Sequence, residues 1–410
     1  MTWVVVVGGL VLLVFLHELG HFGVALAVGM RPRSFYIGFP PALAKIRHRG
    51  IEYGIGMIPL GGLVRIPGMH RPAARDLQVF LEPAVEEQPS IAPAALAVRR
   101  ALAAEDYDAA RAAYPELEEE VGAAHLSGAA RRSAQRALRD VEEGTSSDAY
   151  WRAPTWKRVA VIAAGPVANI VVAFLILFTV FATSGGPTQR ATTGVAAVES
   201  GTPAARAGLR GGDRIVAVNG QPARTFSVVS HLIRSSQGGP VTLTVVRDGK
   251  RVTLGPRHTI FSQGHWILGF RPAAQLVRYP VGRAGTTAIH DLWRVVTGTG
   301  SGIASLFRGR SGARLSGPVG IVRAGHAELE HGLTWYLALL ALVSMSLALL
   351  NLLPLLPLDG GHILFSLIEG VRRRALAREV YERVSMVGIA LILLVFVIAF
   401  SNDVTGAGPH

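Results

Sequence analysis

Three residues near the start of the chain can do chemistry together. His17, Glu18 and His21 stand in the pattern His-Glu-x-x-His. On a helix, residues i and i+4 share a face, so both imidazoles can meet one cation. Glu18 is not needed as a ligand. Beside the cation, its carboxylate can take the proton from an attacking water and hand it to a leaving amine. Together these are the residue types and the spacing of zinc-dependent hydrolysis. Two histidines do not complete such a site, because catalytic zinc is held by three protein ligands. The chain has no cysteine, so the third ligand is His, Asp or Glu. Asn351 to His362 offers Asp359 where Pro354, Pro357, Gly360 and Gly361 break a helix and turn the chain. His362 is the rival ligand, and a His2Asp set leaves room for another divalent cation. The plainer reading of the histidines is two helix-face imidazoles satisfied by backbone or water. Their surroundings decide between the two.

Those surroundings are apolar. Half of the 410 residues are hydrophobic, only 17% are charged, and the mean hydropathy is +0.36. Soluble domains carry about 25% charge. Zero Cys excludes a disulfide scaffold, iron–sulfur clusters and thiol catalysis. Four segments reach the length of about 20 apolar residues that a bilayer requires. They are Trp3 to Val28, Val159 to Thr183, Leu333 to Leu358, and Val384 to Phe400. The first has no basic n-region and no small-residue cleavage site, so it reads as a retained span. Ionisable residues inside a span are functional by default, because burying them in lipid costs several kcal/mol. That setting favours the metal reading of His17 and His21.

Short-loop Lys and Arg set orientation. Arg31, Arg33, Lys45, Arg47 and Arg49 follow the first span, Lys157 and Arg158 open the second, and Arg372, Arg373, Arg374 and Arg378 precede the fourth. Both termini are therefore expected outside, with 29–158 and 359–383 cytoplasmic and 184–332 extracytoplasmic. The formal charge of +13 is not one patch: 184–332 hold 18 Lys and Arg against 6 Asp and Glu, 29–66 carry +5, and 67–155 carry −5. Long translocated domains do not obey the charge rule. Spread in this way, the charge argues against nucleic acid as a partner and for anionic headgroups or acidic substrate segments.

The motifs combine into a resemblance. Leu-His-Glu-x-x-His in the first span and Asn-x-x-Pro-x-x-Pro-Leu-Asp-Gly-Gly in a late one resemble the site-two proteases, intramembrane zinc metalloproteases of peptidase family M50. Gly165 to Asn169 resembles that family's Gly-Pro-x-x-Asn, Pro59 to Val64 its glycine-rich re-entrant β-loop, and Gly317 to Ile321 its Gly-Pro-x-Gly-Ile. Many relatives space the two late prolines two residues apart, whereas Pro354 and Pro357 are three apart. The resemblance implies zinc on His17, His21 and Asp359, with Glu18 as general base and acid. Asn351 and the β-loop edge at Gly61, Gly62 and Leu63 would hold an unwound substrate. A single-span substrate, cleaved in regulated intramembrane proteolysis, would be an anti-sigma factor or a signal-peptide remnant already trimmed by a site-one protease.

Between the second and third spans, short β-runs appear at Val195 to Val198, Arg214 to Val218, Val241 to Arg247 and Lys250 to Leu254. Asn219-Gly220 and Asp248-Gly249 signal the turns. Gly201 to Ile215 resembles the PDZ signature of bacterial proteases, which implies peptide capture at a sheet edge, with a groove near Gly194 and Val195. One such domain resembles the regulator-of-sigma-factor branch. Val281 to Val296 has helical spacing suited to a membrane surface or a substrate clamp, and Gly298 to Gly317 reads as a loop. Residues 71–152 hold 15 acids and 10 bases; within them Ile91 to Tyr107, Asp108 to Ala124 and Ala129 to Val141 read as Ala-rich helices, with boundaries at Pro89, Pro93 and Pro115, more a spacer than a docking or gating element.

The expected fold class is an α-helical polytopic membrane protein with four transmembrane helices, a re-entrant β-loop and an inserted extracytoplasmic PDZ-like α+β domain. Its parts run from the first span (1–30) through the β-loop region (31–70), the cytoplasmic insert (71–155) and the second span (156–184). The PDZ-like domain (190–275), a connector or clamp (276–331) and the last two spans (332–362 and 378–402) follow. The expected location is the bacterial cell membrane. Two other function classes compete with this reading. A non-catalytic PDZ scaffold binding exposed C-termini has no use for Glu18 in lipid, and a metal transporter is disfavoured by the absence of internal repeats.

Overall fold

The computed structural model describes residues 2–262, 265–307, 317–376 and 378–404. The chain divides into two compact units, Met1–Ile176 with Ile289–His410, and Leu177–Ala288.

The first unit opens with α1, Thr2–Ala27. Its 26 residues extend about 39 Å at 1.5 Å per residue, enough to span a hydrocarbon core. Leu13, His17, His21 and Ala25, each four apart, form its buried stripe, while Val4, Leu12, Leu19 and Leu26 are exposed. Apolar side chains that face outward beside buried histidines are the inverse of a soluble helix. Two strands follow, β1 (Ser34–His48) and β2 (Ile51–Arg65). Both are long and bent. Ser34–Ile37 runs beside Glu52–Ile55 on one side and Gly62–Arg65 on the other, while Ala42–His48 pairs with Ile51–Gly56. The Gly62–Arg65 stretch is thus an outer edge of this small sheet. In the sequence only the family resemblance of Pro59 to Val64 pointed to β-structure here, and Pro40-Pro41 hides the alternation of β1.

The insert is a helical bundle with its own core. It consists of α2 (Ala74–Glu87), α3 (Ala92–Ala103), α4 (Tyr107–Ala123) and α5 (Gly128–Thr145). Leu77, Leu81, Val98, Leu102, Leu117, Val121, Leu138 and Val141 pack together at helical spacing. Asp106 and Ser127 cap α4 and α5 through the N–H groups of Ala109 and Ala130. Pro115 does not mark a boundary, as the sequence led us to expect. It lies inside α4, whose buried stripe of Ala110, Leu117 and Val121 continues past it. The bundle is tied to the apolar part at several points. Arg33 donates twice to Asp148 at 3.1 Å, Arg65 pairs with Glu143 at 2.7 Å, and the Tyr150 hydroxyl meets Ser366 Oγ at 3.1 Å.

Next comes α6 (Thr155–Thr183), long and apolar. The second unit begins within it and contains β3 (Gly186–Val198), α7 (Pro203–Arg206), β4 (Arg214–Val218), β5 (Gln221–Pro222), α8 (Phe226–Arg234), β6 (Pro240–Arg247), β7 (Lys250–His258), β8 (Ile260–Ser262), β9 (His265–Ile267) and β10 (Phe270–Val277). The sheet order is β10-β3-β4-β6-β7, with β5 on β4. Val195, Ile215, Val229, Ile233, Leu243 and Val245 fill its core. Asn219-Gly220 and Asp248-Gly249 have positive φ at both residues, the backbone that two-residue hairpins require. Asp213, 1% exposed, accepts from Arg247 Nε at 2.8 Å and Nη2 at 2.7 Å, and from the Arg210 N–H at 2.9 Å.

The chain returns through α9 (Val281–Phe307), α10 (Pro318–His331), α11 (Leu333–Asn351), α12 (Asp359–Arg372) and α13 (Arg378–Val404). The expected loop from Gly298 is helical through Phe307, so its glycines do not end α9, and 308–316 lie outside the described residues. Asp403, near the end of α13, accepts from the N–H groups of Gly317 at 3.0 Å and Gly320 at 2.8 Å, capping α10. Among the described residues, four helices are long and apolar enough to cross a membrane: Thr2–Ala27, Thr155–Thr183, Leu333–Asn351 and Glu379–Val404. The third apolar helix stops at Asn351, and Leu352 to Leu358 forms a non-helical link before Asp359 opens α12.

Candidate metal centre

The buried stripe of α1 carries both imidazoles inward. His17 and His21 are each 7% exposed, with ring centres 4.8 Å apart and planes at 86°. The Leu352–Leu358 link brings the first residue of α12 to them. Asp359 Oδ2 lies 3.3 Å from His17 Nε2 and 3.4 Å from His21 Nε2, and the two Nε2 atoms are 3.3 Å apart. Asp359 Oδ2 is buried, yet no hydrogen bond of good geometry reaches it. Three Lewis-basic atoms thus converge on one point. Tetrahedral zinc with bonds of about 2.0–2.1 Å separates its ligand atoms by about 3.3–3.4 Å. The triangle matches one face of that tetrahedron, so the donor set fits the ion in chemistry and in size.

The groups behind the two imidazoles come from α6. His21 Nδ1 donates to the Val161 carbonyl at 2.8 Å. A carbonyl only accepts, so Nδ1 holds the proton and Nε2 keeps its lone pair toward Asp359. Four residues on, Gly165 faces both rings. A Cβ there would lie 2.7 Å from His17 Cε1 and closer still to His21 Nε2. Another four residues on, Asn169 is wholly buried, with its side-chain amide 3.1 Å from His17 Nδ1. Val161, Gly165 and Asn169 therefore form one face of α6, set against the two histidines.

Glu18 stands beside this triangle. Its Cγ presses on Gly62 so closely that any side chain there would collide with it, and its carboxylate lies by the backbone of Val64. Asn351, at the end of α11, places its amide nitrogen 3.3 Å from His17 Nε2. These residues, with Gly61, Leu63 and His362, line one cavity of about 590 Å³. His362 belongs to its wall. Among the described residues, the one group of three or more His and acidic side chains able to share an ion is His17, His21 and Asp359. Gly194 and Val195 belong to the second unit. There β3 is paired on both sides, with β10 and β4, and Val195 is 2% exposed in the core.

In the sequence Gly165 and Asn169 stand out only as parts of a weak motif, and nothing local marks their place behind the imidazoles. The available signal was the polar Asn169 in an otherwise apolar span.

The family model described as peptidase family M50 matches residues 5–395. A protein of Agrobacterium fabrum is 31% identical over 96% of this chain and 93% of its own length. The zinc metalloprotease RasP of Bacillus licheniformis is 28% identical, covering 96% of each chain. The regulator of sigma-W protease RasP of Bacillus subtilis is 27% identical over 96% of this chain and 95% of its own. The match spans both the helix bearing His17 and the helix bearing Asp359, and on it the chain belongs to peptidase family M50.

Proposed function

We propose that this metalloprotease hydrolyses peptide bonds of single-span membrane proteins within the bilayer, with zinc held by His17, His21 and Asp359. The observation that carries this reading is the 3.3–3.4 Å triangle of Nε2, Nε2 and Oδ2, set among helices apolar enough to cross a membrane. Zinc bound there would supply Lewis acidity, polarising a peptide carbonyl and making a nearby water more nucleophilic. The chain's own residues do the rest. Glu18 takes a proton from the attacking water and returns it to the departing amine. The Gly61–Leu63 edge, free on its cavity side, accepts an extended substrate as an added strand. Gly62, having no side chain, leaves Glu18 room beside that strand, and Asn351, in the same cavity, holds the strand's backbone.

The Bacillus subtilis relative is named for sigma-W, which favours anti-sigma factors as the substrate class here, after an upstream site-one cut. The β1–β2 sheet is read as re-entrant because Phe39, Leu43, Ile46 and Met57 are exposed. The second unit is read as PDZ-like. Its edge strand β10, approached by Phe226 of α8 through Phe270, is better suited to peptide addition than the inner β3. The termini and this unit are assigned to the extracytoplasmic side, and the insert to the cytoplasm.

Purified protein given a model single-span substrate tests the reading. Cleavage should require zinc and vanish with a chelator. Zinc bound at one equivalent without any cleavage would favour the scaffold instead, and cleavage that persists in Glu18→Gln and under chelation would refute the assignment.

A further inference from the structure

His17 sits between two side-chain amides. The amide nitrogen of Asn169 lies 3.1 Å from Nδ1, and that of Asn351 lies 3.3 Å from Nε2. A neutral imidazole has one N–H and one lone pair, so two amide donors cannot both be satisfied by it. One amide must present its oxygen. The choice is made at Nε2, which lies 3.3 Å from both Asp359 Oδ2 and His21 Nε2. A ligand nitrogen in that position carries no proton, so the proton belongs on Nδ1. A half-turn of the Asn169 side chain exchanges its oxygen and nitrogen with almost no change of shape. Asn169 Oδ1 has no other partner, so the exchange breaks no bond that the oxygen already makes.

We infer that Asn169 is a positioning residue for the metal centre: its carboxamide oxygen accepts Nδ1–H of His17 and fixes the tautomer whose Nε2 can bind the ion. This role parallels that of the Val161 carbonyl on His21, one face of α6 setting both ligands. Asn169 is rigid enough to do so, since it is wholly buried and its own carbonyl accepts the Ser344 hydroxyl at 2.9 Å, tying α6 to α11. The inference rests on the proposed metal reading of His17.

The test is zinc affinity of the full-length protein in detergent, measured against graded zinc–chelator buffers, with thermal melting as the check on folding. Asn169→Leu, nearly isosteric but without an acceptor, should weaken zinc binding by about 10–100-fold. Asn169→Asp, whose ionised carboxylate can only accept, should stay within about threefold of the parent, because its acceptor does the same work. A donor role predicts the reverse for Asp. The inference is overturned if Asn169→Leu binds zinc as tightly as the parent, or if Asn169→Asp loses as much as Asn169→Leu. If Asn169→Leu does not fold, Asn169→Ala replaces it with the same expectation, and the Asp variant alone still decides. A parent that binds no zinc refutes the site reading itself. A parent whose zinc is removed by His17→Ala but kept by Asn169→Leu refutes only the role of Asn169.

Discussion

At the scale of residues, the proposed centre separates binding from proton transfer. Glu18 lies outside the triangle of ligand atoms, so Glu18→Gln should keep its zinc and lose about 100-fold or more in turnover, read by zinc content beside substrate cleavage. Asp359→Ala removes one corner of the triangle and should lose both. His362→Ala, altering only the cavity wall, should keep its zinc; its loss there would make His362 the third donor. The pair His17 and His21 was legible because helical periodicity alone puts i and i+4 together. Asp359 was legible because prolines and glycines announce a break in an apolar run. The groups behind the ligands were not. Asn169 meets His17 across 152 residues, and no local pattern encodes which face of α6 turns toward α1.

At the scale of elements, buried polar pairs fasten helix to helix. Arg158, at the start of α6, meets Glu369 of α12 at 2.6 Å, with side chains only 9% and 13% exposed. Since α12 begins at Asp359, the pair also fixes the helix that presents the proposed third donor. Arg158→Ala leaves the carboxylate buried without its partner and should cost about 3 kcal/mol in denaturation experiments. In the second unit, the Arg247 hydrogen bonds, with help from the Arg210 N–H, hold the Asp213 carboxyl below the usual carboxylate range. The folded unit therefore binds fewer protons at Asp213 than the unfolded chain. Its contribution to stability is present above about pH 4 and is lost as the pH falls through the lower, folded value. Asp213→Asn should melt below the parent at pH 7, with a gap that narrows on acidification past about pH 4; a constant gap would show that the carboxylate charge is irrelevant. Elements with plain periodicity, such as β4 and β6, were readable in advance. The bundle helix α2 was not, because Pro83 interrupts its pattern. The extension of α9 was missed because glycine usually ends a helix.

At the scale of the whole molecule, composition and architecture agree. Low charge goes with four helices fit to cross a membrane, and with no cysteine in the chain the proposed donor set is drawn from His and Asp. The absence of native thiols makes topology simple to test. A cysteine in place of the exposed Thr225 should react with an impermeant maleimide on intact cells, and one in place of the exposed Ala112 only after lysis. The reverse pattern would invert every assignment of side. What composition did not convey is that the insert has a packed core of its own and is fastened to the apolar part by Arg33, Arg65 and Tyr150. That arrangement is more than a spacer requires.

The Asp403 cap on α10 has a consequence in time. During synthesis α10 emerges before α11, α12 and α13, and its first N–H groups have no carboxylate until nearly the last described residue of the chain is made. A nascent chain can therefore carry every side chain of the proposed centre while this latch is still open, and chains terminated ahead of Asp403 never close it.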